Sequence, residues 1–107
     1  MKSFTEREKG FEAEFKRNQE LRFRVTARRN RLFGLWAAER LGLPAGEEAE
    51  AYAKTVVAAD FEAPGDDDVI NKVRTDLDNS GSVVTEAELR AELERAAAEA
   101  SRQIAQS

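Results

Sequence analysis

The 107-residue sequence contains no cysteine and no histidine. Without cysteine it has neither disulfides nor thiolate metal ligands, and without histidine it lacks the usual general base and the commonest zinc ligand. No apolar run approaches the roughly 18 residues that span a membrane, and the charged first ten residues are unlike a signal peptide. These absences predict one small cytosolic domain without a nucleophile–base pair, a metal cluster or a glycine-rich phosphate loop.

Charge is unevenly distributed along a chain whose net charge is −4. Residues 1–31 contain ten basic and five acidic side chains, whereas residues 32–107 contain seven basic and sixteen acidic ones, so the two parts carry +5 and −9. Solvated helix faces would explain this asymmetry, and a basic arm on an acidic body is the functional alternative. We do not expect nucleic-acid binding, because glutamates at positions 6, 8, 12 and 14 interrupt the basic run and would repel phosphates.

The first twenty residues are polar apart from small side chains and three phenylalanines. On a helical wheel Phe4, Phe11 and Phe15 fall within about 40° of one another, but Gly10 costs a helix about 1 kcal/mol relative to alanine. Three rings do not offset the entropy of ordering this segment, so we expect it to be disordered or fraying when alone. A groove that accepts the rings would make it an amphipathic helix, and the alternative is a helical extension packed on its own domain.

Three breaks that contain glycine, two of them with proline, divide the remaining chain into four periodic segments. We predict helices over residues 21–43, 47–61, 66–77 and from a capping box at Thr85 and Glu88 to residue 103. No alternating pattern is long enough to build a sheet. The sequence therefore predicts an all-α fold, a compact four-helix bundle with a flexible N-terminal arm.

Apolar periodicity identifies the expected core. In the first helix the main stripe is Leu21, Val25, Leu32, Leu35 and Trp36, and a second stripe is Phe23, Ala27 and Leu41. The faces of the other helices are Ala49, Tyr52, Ala53, Val56 and Val57; Val69, Ile70, Val73 and Leu77; and Leu89, Leu93, Ala96, Ala97, Ala100 and Ile104. We expect Gly34 to let another helix approach closely, and a hinge is the functional alternative.

Two acidic stretches resemble metal motifs. Asp76 to Gly81 begins like a calcium-binding EF-hand loop, but the twelfth position is Ala87 where a bidentate glutamate is required. A helix C-terminus with a glycine turn explains the same residues. Asp66 to Asp68 open a helix, where three successive carboxylates point in different directions and the helix dipole accounts for them.

Charged residues also fall on apolar stripes, namely Arg28, Glu39 and Asp60. Because buried charges are rarely left unpaired, we infer an internal ion pair of Arg28 with Asp60 or Glu39, or a ligand contact. The alternative is a buried stem whose charge reaches solvent. An arginine-rich site beside Trp36 and Tyr52 would also suit a nucleotide, since guanidinium binds phosphate and aromatic rings stack on bases.

Long stretches of the chain resemble a known family. They are ARRNRLFGLWAAERLGL at 27–43, AYAKTVVAADFEAPGDDDV at 51–69 and KVRTDL at 72–77, which are similar to the zeta subunit of the F-type ATP synthase of alphaproteobacteria. The N-terminal FTEREKGFEAEFKRNQELRFR is similar to the family's DRE-x-A-F-E-x-K-F pattern, from which Thr5, Gly10 and Glu14 depart. The departures at Gly10 and Glu14 weaken helix formation and reverse a charge in the arm.

The resemblance implies an inhibitor of ATP hydrolysis that is not itself an enzyme. It implies a four-helix bundle over residues 20–107 and an inhibitory arm over residues 1–19, which enters the catalytic interface of the alpha, beta and gamma subunits and blocks rotation in the hydrolytic direction. The arm residues expected to contact these partners are Phe4, Arg7, Lys9, Phe11 and Phe15. Such a protein would be cytoplasmic and peripheral to the inner membrane through the ATP synthase, without inserting into the membrane.

The resemblance also implies that ADP or ATP binds the bundle as a regulatory ligand, although no cofactor is required. The candidate nucleotide-binding residues are Arg28, Arg29, Asn30 and Trp36. Two other functions remain open at this point: a nucleotide-sensing helical module whose main output is not this ATPase, and an assembly factor of the ATP synthase.

Overall fold

Four helices form the described part of the chain, residues 2–60 and 65–106 of a computed structural model, with side chains described from Arg17 onward. They are α1 (Lys2–Arg40), α2 (Glu47–Ala59), α3 (Asp67–Asn79) and α4 (Glu86–Gln106). The long α1 packs mainly against α2 and α4, and α3 contacts all three other helices. The predicted all-α four-helix bundle is confirmed, and none of the described helices has an apolar stretch that would cross a membrane.

Helix α1 begins much earlier than the sequence predicted. We predicted a helix from residue 21, whereas the helical backbone is continuous from Lys2 to Arg40; the flexibility of the arm stays a prediction. Glutamate, lysine, arginine and alanine dominate residues 5–20, and these are strong helix formers whose summed propensity exceeds the cost of Gly10. The molecule is accordingly elongated, with a longest dimension of 65 Å.

The ends of α3 and α4 follow from local hydrogen bonds. The backbone N–H of Glu88 donates to Thr85 Oγ1 at 3.1 Å, which is one half of the predicted capping box. After α3, Gly81 has a φ of 84°, and the N–H of Ser82 donates to the carbonyl of Leu77 at 3.0 Å. The stretch from Asp76 is therefore a helix C-terminus with a left-handed glycine. Among the described residues no cluster of three carboxylates is placed to hold a metal ion.

The predicted faces of α2, α3 and α4 form most of the core. All four residues predicted for α3, which are Val69, Ile70, Val73 and Leu77, are at most 1% exposed. In α2 and α4 the buried residues are Ala49, Ala53, Val56, Ala59, Leu89, Leu93, Ala96 and Ala100. The other predicted residues of these two faces are half-buried, namely Tyr52, Val57, Ala97 and Ile104.

The predicted core face of α1 is wrong in its most important residues. Leu21 and Phe23 are 37% and 59% exposed, whereas Phe33, which neither predicted stripe contained, is fully buried. Its buried neighbours on α1 are the small or polar residues Asn30, Gly34, Ala37 and Ala38. Side-chain hydrophobicity gives such a face little weight, so the larger half-buried residues dominated the prediction.

Gly34 allows α1 and α2 to approach closely, as the sequence predicted. A Cβ atom at this position would lie 2.7 Å from the Cα of Ala53 and 3.2 Å from the Cβ atoms of Ala53 and Val56. The first of these distances is to backbone, which a side-chain rotation cannot relieve. The glycine is thus required by helix packing.

Replacing Gly34 with alanine should destabilise the bundle by about 1–3 kcal/mol, even though alanine favours a helix by about 1 kcal/mol. The added methyl forces α2 away from α1 and disturbs the core around Val56. Urea denaturation followed by circular dichroism measures the difference. An unchanged or higher free energy of unfolding would show that the helices are not in close contact at this position.

Candidate functional site

The candidate inhibitory arm is the N-terminal part of α1. Phe4, Arg7, Lys9, Phe11 and Phe15 all belong to the helix Lys2–Arg40, but their side chains lie outside those described. Because the backbone is helical, the three phenylalanine positions fall within about 40° on the helical wheel. Their contact with a partner protein stays a prediction.

The next part of α1 is exposed on all sides. Every residue from Arg17 to Arg24 is exposed, and burial begins only at Val25. Among the side chains described, from Arg17 onward, the first hydrogen bond that joins α1 to another helix is made by Arg28, whose Nη1 donates to Gln103 Oε1 at 3.3 Å. Residues 17–24 therefore lead from the last three residues of the arm into the bundle, and we refer to them as the neck.

Two of the four candidate nucleotide-binding residues join α1 to the start of α3. Arg29 Nε donates to Asn30 Oδ1 at 3.0 Å, and Arg29 Nη1 donates to Asp66 Oδ1 at 3.0 Å. Asn30 is 1% exposed, and Asp66 is the N-cap residue of α3. The network satisfies the buried amide oxygen and holds the end of the α2–α3 connection against α1.

The structure does not bring Trp36 together with this network. Trp36 lies seven residues beyond Arg29, about 10 Å further along the helix axis. Its ring stacks on Phe33 with 5.7 Å between centroids, and the Arg40 guanidinium lies 5.1 Å from its centroid. A nucleotide base that used this ring would compete with both contacts.

The predicted ion pair of Arg28 is wrong. Within the described residues Arg28 is bonded to the neutral amide of Gln103 and forms no ion pair with Asp60 or Glu39. Glu39 is exposed and Asp60 is half-buried. The helical wheel placed these charges inward because it was centred on the wrong apolar stripe. The alternative prediction for Arg28, a partly buried side-chain stem, is closer to the structure.

The three aspartates at the start of α3 do point in different directions. Asp66 pairs with Arg29, Asp67 accepts a hydrogen bond from Arg90 Nη2 at 3.0 Å, and the Oδ2 atom of Asp68 is buried without a hydrogen-bond partner. Two of them therefore tie α3 to α1 and α4, in addition to the helix-dipole effect. The small cavity between Arg29, Asp66 and Arg90 measures about 180 Å³, below the roughly 300–1,000 Å³ of ligand pockets.

A polar cluster joins α2 to α3. The hydroxyl of Tyr52 donates to Asp76 Oδ2 at 2.8 Å, and Lys72 Nζ lies 2.8 Å from the same oxygen and 5.5 Å from the centroid of the Tyr52 ring. Burial of the phenol, together with its hydrogen bond to a carboxylate, raises the pKa of Tyr52 well above its ordinary value. This pair could not be predicted from the sequence, because the tyrosine and the aspartate are 24 residues apart.

This pKa shift predicts a specific loss of stability at alkaline pH. The pKa of Tyr52 is raised in the folded state, whereas tyrosine in the unfolded chain ionises near pH 10. The contribution of Tyr52 to the stability of the fold is therefore complete below about pH 10. It is lost as the pH rises from there towards the pKa of the folded state. Tyr52 is the only tyrosine, so absorbance at 295 nm reports it alone. We expect half-ionisation at a higher pH in the folded chain than in urea; identical midpoints would mean that the phenol is solvated.

A broad depression lies between α2 and α3. It measures about 640 Å³, and Thr55, Asp68, Asn71, Lys72 and Asp76 are among the residues that line it. Lys72 and Asp76, one turn apart on α3, neutralise each other along one wall of it. The arrangement offers no activated nucleophile and no proton donor–acceptor pair of the kind that catalysis requires.

These features define an all-helical protein in which a compact bundle carries a long helix that projects beyond it. A family model for the ATPase inhibitor subunit zeta matches residues 1–103, and the chain belongs to this family. The resemblance found in the sequence is thus confirmed. The family is one of inhibitor subunits and not of catalytic enzymes.

A solved structure supports the same fold. A solution NMR structure of a protein is 49% identical in sequence, and the match covers 80% of this chain and 96% of that chain with a TM-score of 0.71. No curated protein matches this chain in a sequence comparison.

Proposed function

We propose that the chain inhibits ATP hydrolysis by the F-type ATP synthase by inserting its arm, residues 1–19, at the catalytic interface of the alpha, beta and gamma subunits. Membership of the inhibitor family supports the ATPase as the target. The observation that carries the role of the arm is the projection of α1 beyond the bundle, since its described side chains are all exposed before Val25.

Insertion of a helix into a groove explains why the arm carries so few apolar side chains. Burial of each phenylalanine ring at the interface would contribute roughly 1.5–3 kcal/mol, and the rings occupy a single face of the wheel as groove binding requires. The bundle remains outside and holds α1 in position. The protein would act in the cytoplasm, at the inner membrane only through the ATP synthase.

Site-specific photo-crosslinking tests the placement of the arm. A photo-reactive phenylalanine analogue at position 11 should form crosslinks to alpha, beta or gamma in the inhibited complex. Val83, which is 93% exposed in the α3–α4 connection, is the matched control, because the proposal leaves the bundle outside the catalytic interface. Crosslinks to these subunits from position 83 but not from position 11 would contradict the proposal.

The second part of the proposal is ADP or ATP as a regulatory ligand. The supporting observation is Arg28, a half-buried guanidinium whose partner Gln103 is neutral and leaves its charge uncompensated. Trp36 is the only tryptophan, so its fluorescence provides the readout of a titration with either nucleotide. We expect Arg28→Ala to weaken binding; equal affinity of the two proteins would remove Arg28 from the site.

The two rival functions have distinct experimental outcomes. Nucleotide binding with no effect on hydrolysis would indicate a sensing module with another output. Normal control of hydrolysis combined with poor assembly of the ATP synthase in a deletion strain would indicate an assembly factor. Family membership favours inhibition over both.

A further inference from the structure

The positive charge of the N-terminal part is confined to a short section of α1. Residues 1–16 contain four basic and four acidic side chains and are neutral overall, whereas residues 17–31 contain six arginines and one glutamate. The whole excess of +5 therefore lies in the neck and the first turns of α1 within the bundle. The arm, residues 1–19, carries only one unit of this excess, at Arg17 near its end.

Three of these arginines share one face of the helix. At 100° per residue, Arg17, Arg24 and Arg28 fall within about 40° of one another, spaced about 10 Å and 6 Å along the axis. We call these three residues the basic stripe. Arg22, in the same exposed segment, points at least about 120° away from them.

The basic stripe is not neutralised within the described part of the chain. Arg17 and Arg24 are exposed, and neither forms an ion pair or side-chain hydrogen bond with any of residues 17–60 or 65–106. Arg28 is bonded only to the neutral Gln103. By contrast, the next two arginines are each paired, Arg29 with Asp66 and Arg31 with Glu50.

Uncompensated like charges on one helix face slightly destabilise the free chain. Such charges stabilise a complex when they bind carboxylates of a partner, because guanidinium and carboxylate form strong, often bidentate hydrogen bonds. The remainder of the chain carries −9, so an acidic surface would attract the neck and repel the bundle. This polarity orients α1 with its arm towards the surface and its bundle away from it.

We propose that the basic stripe docks on an acidic protein surface of the ATPase, beside the groove that the arm enters. The surface would present carboxylates spaced about 10 Å apart, to match the two exposed arginines of the stripe, Arg17 and Arg24. The inference rests on the proposed function and adds to it a second contact, which speeds and strengthens docking without performing the block. A protein partner is favoured over a nucleic acid because an extended polyanion would also meet the acidic body.

Charge reversal on and off the stripe tests this contact. The variant Arg17→Glu with Arg24→Glu is compared with Arg22→Glu, a control that is also exposed but lies on another face of the neck and changes the charge by half as much. ATP hydrolysis by the cognate catalytic head is titrated with each protein at about 50 mM and about 1 M salt, where screening lengths are about 14 Å and 3 Å. Thermal melting monitors the bundle.

We expect the double variant to need at least about tenfold more protein for half-inhibition at low salt, with the same residual hydrolysis at saturation and unchanged melting. The control should shift by less than about threefold, and high salt should remove most of the difference. If the wild type and the double variant reached half-inhibition at the same protein concentration at low salt, the inference would be overturned. The same would follow if the control needed as large an increase in concentration as the double variant.

The alternative partner of the basic stripe, a nucleic acid, is tested with the same protein variants. Binding of a single-stranded RNA oligonucleotide that the double variant loses, with inhibition unchanged, would assign the stripe to nucleic acid and overturn the inference. A wild-type chain that fails to inhibit at any concentration would contradict the proposed function instead, so the two failures are distinguishable.

Discussion

Removal of residues 1–16 is expected to abolish inhibition of ATP hydrolysis while leaving the thermal melting of the bundle nearly unchanged. The inhibitory side chains are lost with the arm, whereas burial in the described chain begins only at Val25. Since this truncation keeps Arg17 and Arg24, the truncated protein retains its basic stripe for docking. Hydrolysis by the cognate catalytic head, titrated with intact and truncated protein, measures the effect.

Point substitutions should separate the rings from the length of the arm. Phe11→Ala combined with Phe15→Ala should do much the same as truncation, because burial of each ring contributes roughly 1.5–3 kcal/mol. Gly10→Ala should instead strengthen inhibition, by up to about 1 kcal/mol, if the arm binds as a helix. A truncated bundle that inhibits as well as the full chain would transfer the inhibitory role to the acidic body or to a bound nucleotide.

Phe33→Ala is expected to cause the largest loss of stability, about 3–5 kcal/mol. Phe33 is fully buried, it stacks on Trp36, and it belongs to the main core with residues of all four helices. Truncation to a methyl group removes these contacts and leaves a cavity that the packed helices only partly fill. Urea denaturation at constant pH measures the difference in the free energy of unfolding.

Phe23→Ala is the matched control, since it removes the same ring from the same helix. Phe23 is 59% exposed, so we expect a loss below about 1 kcal/mol. The two residues also discriminate between the observed packing of α1 and the packing predicted from apolar periodicity, in which Phe23 belonged to the core and Phe33 did not. A larger loss at position 23 than at position 33 would favour the predicted packing.

How well a helix could be predicted from the sequence depended on how it buries its residues. Helix α3 is short and has one clean apolar face, so its four core residues were identified correctly. Helix α1 meets α2 closely at Gly34, which contributes no hydrophobic signal although it sets the distance between the helices. The start of this helix was placed at residue 21 because the few apolar residues before it were weighed, whereas local propensity extends the helical backbone to Lys2.

The residues of the candidate site also differ in how well they could be predicted from the sequence. The arm residues could be proposed because they are contiguous in sequence and resemble the family's N-terminal pattern. The partners of Arg29 and Tyr52 could not, because Asp66 and Asp76 are distant in sequence and only the packing of α3 brings them near. The exposure of the neck was equally hidden, since the sequence does not show where the bundle ends along a continuous helix.

The most direct test of the account is the rate of ATP hydrolysis by the purified cognate catalytic head as intact protein is added. The account predicts a saturable fall in the rate, with the protein bound through α1 and no ATP hydrolysed by the protein itself. The same rate at every protein concentration, with the chain folded and the head active, would contradict the central claim that this helical bundle and its projecting helix form an ATPase inhibitor.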